Sequence, residues 1–556
     1  MKKEKLKPML FSVIKKYSAK QFTTDVISGI IVAIIALPLS IALALASGVG
    51  PEEGLYTAIV AGFIISFLGG SRVQIAGPTA AFATIVAGIV AKNGYDGLMM
   101  ATIIAGIILI LMGLFKLGSL IKFIPYTITT GFTAGIAVTI LIGQIKDFLG
   151  LTYPKGTVTI ETVEKVEAIA ANIGTINFQA VIVGVVCLLI LVIWPRFFKK
   201  IPASLIAVIV GILMVKVVGL KVNTIGDLYQ INGGLPKFHA PNFSWSLVRA
   251  SFSNGFTIAI LAAIESLLSA VVADGMIGSK HRSNMELIAQ GAGNIGSVLF
   301  GGIPATGAIA RTAANIKNGG RTPIAGMVHS VVLLLVLVVL MPYAALIPMP
   351  TIAAILFQVA YNMCQWRPFL KLCKTAPKSD IIVLVMTFVL TVVFDLVVAI
   401  EVGMIAACLL FMKRMSEESS VRGWTYVDPD IDPENDPDSI ELRVIPKHVR
   451  VYEISGPMFF GDADALANIT TKDFTKCLVI RMRSVPALDA TAMRSLEMLY
   501  EDCRKKGVRL IFSHVNEQPM RTMEKDGFID RVGKENFCPH IDDALELAAK
   551  VNADFT

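Results

Sequence analysis

Two charged residues lie where charges are costly. Glu265 is the only ionisable residue between Arg249 and Asp274, and Arg311 stands inside the short apolar stretch "GGIPATGAIARTAANI". On insertion scales a charge at mid-membrane costs about 2.5–3.5 kcal/mol, so such residues mark function by default. A structural ion pair between the two is the plain alternative. The functional reading gives them separate roles. Arg311 supplies fixed positive potential that favours an anion. Ionised Glu265 repels that anion and protonated Glu265 does not, so anion and proton bind together. Sodium is the rival coupling ion, held by Glu265, the Ser269 hydroxyl one turn later and carbonyls of the broken stretch around Pro304.

Two apolar runs carry helix breakers in matching places. "QIAGPTAAFATIVAGIV" breaks at Pro78 and "GGIPATGAIARTAANI" at Pro304, 226 residues later, close to half of the apolar part of the chain. Paired interrupted segments in two halves are the best sequence pointer to a substrate site in secondary transporters. Irregular backbone inside a bilayer is tolerated only where protein or a wet cavity surrounds it. A helix that starts there presents unpaired N–H groups and the positive end of its dipole, a ready anion site. Small residues (Gly77, Thr79, Ala80; Ala305, Thr306, Gly307) let a ligand reach backbone nitrogens, and the threonines add hydroxyl donors. Simple kinks are the alternative for either run alone; the matched pair points to a site.

The elements that position these residues follow from composition. The chain has 556 residues, 54% hydrophobic and only 17% charged, a membrane composition. Runs of about 20 apolar residues span a bilayer as helix. Fourteen such segments are counted between Val26 and Met412, two of them short. The first run is too long for a signal-peptide core and is read as a retained span. The net charge of +8 does not indicate nucleic acid, because the basic residues sit in the N-terminal tail and on alternate joints. Those joints carry Arg72; Lys116 and Lys122; Arg196, Lys199 and Lys200; Lys280 and Arg282; Lys317 and Arg321; Arg367, Lys371, Lys374 and Lys378; Lys413 and Arg414. Such placement puts both ends of the membrane part in the cytoplasm. Seven segments in each half make the repeat inverted, over about 26–218 and 250–414. Seven scattered cysteines indicate neither disulfides nor a zinc site. Gln144, His329, Asp395 and Glu401 also lie in or beside apolar runs and read as packing, capping or interface residues.

The division is therefore a cytoplasmic tail (1–25), a transport domain (26–414), an acidic linker (415–439) and a soluble domain (440–556). In the last, "HVRVYEISGPMFF", "CLVIRM" and "RLIFSHV" read as strands. "DADALANI", "ATAMRSLEMLYEDCRKKG" and "HIDDALELAAKVN" read as helices. That alternation predicts a small α/β domain with no phosphate loop or activated nucleophile, so a regulatory or assembly role rather than an enzyme.

In order along nearly the whole chain, "QIAGPTA", "FIPYTITTGFTAGIAV", "ESLLSAVVAD", "NMELIAQGAGNIGSVLFGGIPATGAIARTAAN" and the tail resemble the sulfate permease (SulP) family of anion transporters, and the tail resembles a STAS domain. The resemblance implies a membrane all-α fold of fourteen segments as a 7+7 inverted repeat. It also implies core and gate domains, half-helices in segments 3 and 10, elevator-like movement of the core, and a homodimer. The family's anion site falls on Ala76, Gly77, Pro78, Thr79 and Ala80, on Thr306, Gly307, Ala308, Ile309, Ala310 and Arg311, and on Glu265. Relatives that couple bicarbonate to sodium have Asp and Thr where this chain has Glu265 and Ser269, which favours a proton here. "LDATAM" resembles the turn where related domains carry a phosphorylatable hydroxyl, here Thr491, although Ala492 replaces the usual glycine.

These readings converge on a multi-pass transporter of the cytoplasmic membrane, with no cofactor and no nucleic-acid partner. Proton-coupled sulfate symport is expected, ahead of sodium-coupled bicarbonate and C4-dicarboxylates. An uncoupled anion channel has no use for Glu265, and a membrane-tethered signalling protein has none for paired broken helices.

Overall fold

The computed structural model describes residues 6–553 apart from 120–124, 155–156, 158, 160, 199–200, 230, 232–233, 395, 419, 425–439, 441–442 and 460–474. Asp395, the "DADALANI" helix, most of the acidic linker and the basic residues Lys2, Lys3, Lys5, Lys122, Lys199 and Lys200 lie outside the described residues.

The chain forms two compact units, residues 1–405 and 406–556. The first is helical. Its long helices are α1 (Ala19–Ala46), α2 (Pro51–Leu68), α3 (Ala80–Leu114), α4 (Tyr126–Leu149), α5 (Phe178–Phe197), α6 (Ala203–Lys216), α7 (Trp245–Ile277) and α8 (Ser283–Leu299). They continue with α9 (Ile309–Lys317), α10 (Ile324–Ala344), α11 (Met349–Cys364), α12 (Trp366–Thr375), α13 (Lys378–Val393) and α14 (Leu396–Glu418), the last running into the second unit. Seven of these are long and apolar enough to cross a membrane. At Gly94, α3 breaks, with φ 67° and ψ −173°, values that only glycine adopts readily. Counting its two parts separately and leaving out α12, the helices named here fall on the fourteen expected segments one for one; a further helix, Thr162–Ala171, lies between α4 and α5.

Helix starts follow local chemistry. Ser18 caps α1 through its side chain, Ser244 caps α7, and α2 opens on Pro51 with Glu52 and Glu53 in its first turn. α12 was read as a basic joint. It is an amphipathic helix with no buried residue, carrying Arg367, Lys371 and Lys374 opposite Phe369, which packs on Phe388 at 5.3 Å between ring centroids. Helices α3 and α8 cross at Gly106 and Gly291, where a Cβ on either would run into the other's carbonyl oxygen.

Two two-residue strands interrupt the helices. β1 (Ala76–Gly77) pairs antiparallel with β2 (Thr306–Gly307), Ala76 opposite Gly307 and Gly77 opposite Thr306. The amide of Ala308 adds a bond to the Ile75 carbonyl at 2.8 Å.

The second unit holds a five-stranded sheet in the order β3 (Ser420–Trp424), β4 (Val449–Ser455), β5 (Cys477–Ser484), β6 (Arg509–Ser513) and β7 (Phe537–Cys538). β3 is antiparallel to β4, and the other neighbours are parallel. Helices α15 (Ala490–Lys505), α16 (Glu517–Lys525) and α17 (Ile541–Ala553) accompany the sheet, with one short helix, Phe528–Val532, between the last two. Separate apolar clusters hold α15 and α17 to the sheet. Two differences from the sequence reading stand out. Residues 415–418 continue α14, and 420–424, within the expected linker, form a strand: the run of Asp and Pro in the sequence begins only at Asp428. α16 went unread because it is short, strongly polar and carries Pro519 in its first turn, where proline is tolerated.

Candidate functional site

The two breaker segments meet. Each delivers its chain from a paired strand directly into a helix, β1 into α3 and β2 into α9. Their N-cap residues, Thr79 and Ala308, are extended, and neither caps its helix with a side chain. Two helix N-termini with side-chain-free amides thus start from one strand pair, concentrating positive potential without a full charge.

The expected site residues come together around that pair. Ala76, Gly77, Pro78, Ala80, Thr306 and Gly307 are buried, Thr79 and Ala308 are half-buried, and Ile309 and Ala310 are exposed at the first turn of α9. Glu265 comes from α7. Its Oε2 accepts the Thr79 hydroxyl at 2.9 Å. Thr306 donates to the Ala262 carbonyl, one turn earlier on α7, at 3.1 Å. Both threonine hydroxyls, expected as ligand donors, are therefore engaged with α7. Ser269 is buried and donates to Thr312 Oγ1 at 3.4 Å, which also accepts the Ile75 amide at 3.0 Å. Thr312, absent from the sequence reading, ties α9 back to the approach of β1.

Arg311 is only 2% exposed. One Nη donates to the Pro78 carbonyl, and a Cβ on Gly77 would meet the other. Nε and Nη1 have no hydrogen-bond partner, and the structural ion pair with Glu265 is not formed. The guanidinium is thus folded against the backbone at Gly77 and Pro78, where it adds positive charge beside the turn into α3. His329, one of the residues that read as packing, capping or interface positions, is fully buried. A Cβ on Gly62 would lie 3.3 Å from the Ala76 carbonyl oxygen and 4.0 Å from His329 Nδ1, which places the ring close behind β1.

Gln144 is buried in α4 and Glu401 is exposed on α14, and neither reaches this cluster. Thr491 is exposed in the first turn of α15, whose N-cap Asp489 accepts the Ala492 amide at 2.8 Å. An exposed hydroxyl at a helix N-terminus is accessible to modification.

Residues 22–387 match the sulfate permease family, and residues 439–544 match the STAS domain. The chain belongs to the sulfate permease family. Its members and this chain's relatives are anion transporters rather than enzymes. YvdB of Bacillus subtilis (strain 168), provisionally assigned as a sulfate transporter, is 39% identical over 95% of this chain and 98% of its own length. The bicarbonate transporter BicA of Picosynechococcus is 32% identical over 96% of each chain. The fold of this permease-family chain is likewise that of solved transporters. Murine Slc26a9, an anion transporter solved in the inward-facing state, superposes with a TM-score of 0.87 at 20% identity, over 98% of this chain and 94% of that one. The transmembrane domain of a cyanobacterial BicA gives 0.62 at 30% identity, over 70% of this chain and 98% of its own. The assignment makes the chain a multi-pass membrane transporter with a C-terminal STAS domain.

Proposed function

We propose that this chain is a proton-coupled symporter of a small inorganic oxyanion, sulfate above all, working by elevator-type alternating access in the cytoplasmic membrane. The observation that carries the reading is the contact between Thr79 and Glu265: the residue that opens half-helix α3 is hydrogen-bonded to the one carboxylate at mid-membrane on α7. An anion seated over the N-termini of α3 and α9 lies beside that carboxylate. Ionised Glu265 opposes it and protonated Glu265 does not, so each ligand favours the other by linkage. Arg311 strengthens the seat electrostatically from behind Pro78. The basic joints put the N-terminus and the STAS domain on the cytoplasmic side. A homodimer with STAS contributing to assembly or regulation completes the proposal, with Thr491 as its modification site.

The second reading is sodium-coupled bicarbonate transport. It has the 32% identity to BicA in its favour, and the Ser269–Thr312 hydroxyl pair one turn from Glu265 supplies oxygen ligands for sodium. Proteoliposomes decide between them. Uptake of labelled sulfate, bicarbonate and succinate is measured with proton and sodium gradients imposed separately. Sulfate accumulation driven by an inward proton gradient is expected. Accumulation of bicarbonate on a sodium gradient alone moves the function to the second reading, and downhill flux without accumulation makes the protein a channel.

A further inference from the structure

Helix α8 carries a buried polar stripe at helical spacing. Glu286, Gln290 and Asn294 are all fully buried, four residues apart, on the face turned toward the two strands. Glu286 Oε2 accepts the amides of Gly70 at 2.8 Å and Ser71 at 3.1 Å, and its Oε1 accepts Gln74 Nε2 and Gln290 Nε2, each at 3.0 Å. Four neutral donors thus converge on one buried carboxylate. Asn294 holds the other strand's approach: its Nδ2 donates to the Ala305 carbonyl and its Oδ1 accepts the Ala305 amide, both at 2.8 Å. The Gln74 amide in turn occupies the space that a Cβ on Gly307 would need, so it bridges from β1 onto β2.

We propose that Glu286 is a positioning residue for the transport site, acting through Gln74 to fix β1 against β2 and so to set the spacing of the two helix N-termini. Glu286 touches neither the strands nor the half-helices. It clamps the segment 70–74 that feeds them, and a small displacement of that segment moves Pro78 and Thr79 relative to Ala308. The inference rests on the anion-transport reading for its kinetic consequence but not for its structural one.

The test uses the purified full chain with Glu286→Gln, Gln74→Glu and the double exchange. Glu286→Gln gives the Gly70 and Ser71 amides and the Gln74 amide a single amide oxygen in place of a carboxylate, and Gln74→Glu sets two carboxylates against each other. The double exchange restores an amide facing a carboxylate. Hydrogen exchange by mass spectrometry reads the clamp without any ligand. Each single variant is expected to lose protection in peptides covering 70–77 and 305–308 while the rest of α8 and α3 keeps theirs, and the double variant to regain it. In parallel, half-saturation for sulfate uptake, or for bicarbonate if that is the cargo, rises about tenfold in the singles at nearly unchanged maximal rate per folded molecule and recovers in the double. Protection lost throughout the helical unit, or a double variant no better than the singles, overturns the proposal. Local exchange behaving as expected with no saturable anion uptake in the wild type overturns the transport reading instead.

Discussion

Thr79 gives its hydroxyl to Glu265, 186 residues further along the chain, and not to the amides of the helix it opens. A threonine at an N-cap ordinarily accepts from the third residue of its own helix. Here the cap is left undone, so the first amides of α3 stay available, and the carboxylate that would oppose an anion is held beside them. The arrangement joins the proposed anion seat and the proposed coupling residue in one contact.

Replacing Glu265 by Gln keeps the size and the Thr79 contact but removes the titrating group. Gradient-driven accumulation of sulfate is expected to vanish, while anion-induced thermal stabilisation of the purified protein persists. Accumulation at the wild-type level in that variant rules out Glu265 as the proton carrier.

Arg311→Ala removes the buried charge and the bond to the Pro78 carbonyl together. Sulfate affinity is expected to fall about tenfold or more, on the order of 1.4 kcal/mol, by calorimetry or thermal shift. Arg311→Lys separates the two contributions, since it keeps the charge and loses the planar fork that braces Pro78. Unaltered affinity in the alanine variant means that the helix ends hold the anion unaided.

Gly307→Ala forces its new methyl group into the Gln74 amide. Overpacking of this kind costs about 1–3 kcal/mol, which lowers the melting temperature in detergent and weakens sulfate binding. Gly88→Ala is the control, because nothing lies within 4 Å of the added carbon. Equal melting temperatures for the two variants would show that Gln74 moves aside freely.

In the second unit, Cys477 and Cys503 are fully buried, and burial pushes their thiols up to about 11 and about 12. With folded values above the ordinary range near 8.5, thiolate is scarce at any working pH, and alkylation needs unfolding. N-ethylmaleimide at pH 8 should leave both unmodified in the native protein and label both in denaturant, as read by peptide mass spectrometry. Native labelling at the denatured rate contradicts the packing of β5 and α15.

Much of this was legible in the sequence because it violates expectation locally. Pro78 and Pro304 break runs that should not break, and Glu265 and Arg311 charge runs that should not be charged. Alternating strand and helix patterns gave away the C-terminal sheet for the same local reason. The rest depends on register. Glu286, Gln290 and Asn294 sit four apart in a run that counts as one more membrane segment, and only the pairing of β1 with β2 shows what their polar face holds. Thr312 carries no signal of its own in the sequence, and its part comes from the Ile75 amide that its hydroxyl accepts across 237 residues of chain. Hydroxyl direction is likewise tertiary: Thr79 and Thr306 were read as ligand donors, and both turn toward α7.

The antiparallel pairing of Ala76–Gly77 with Thr306–Gly307, reinforced by the Ala308 amide on Ile75, stitches together pieces about 230 residues apart in the chain. Neither half-helix can shift at its tip without breaking backbone bonds that lipid offers nothing to replace. On the transport reading proposed above, the displacement that carries the anion across the bilayer moves this paired seat as a single solid block, and the bending happens elsewhere.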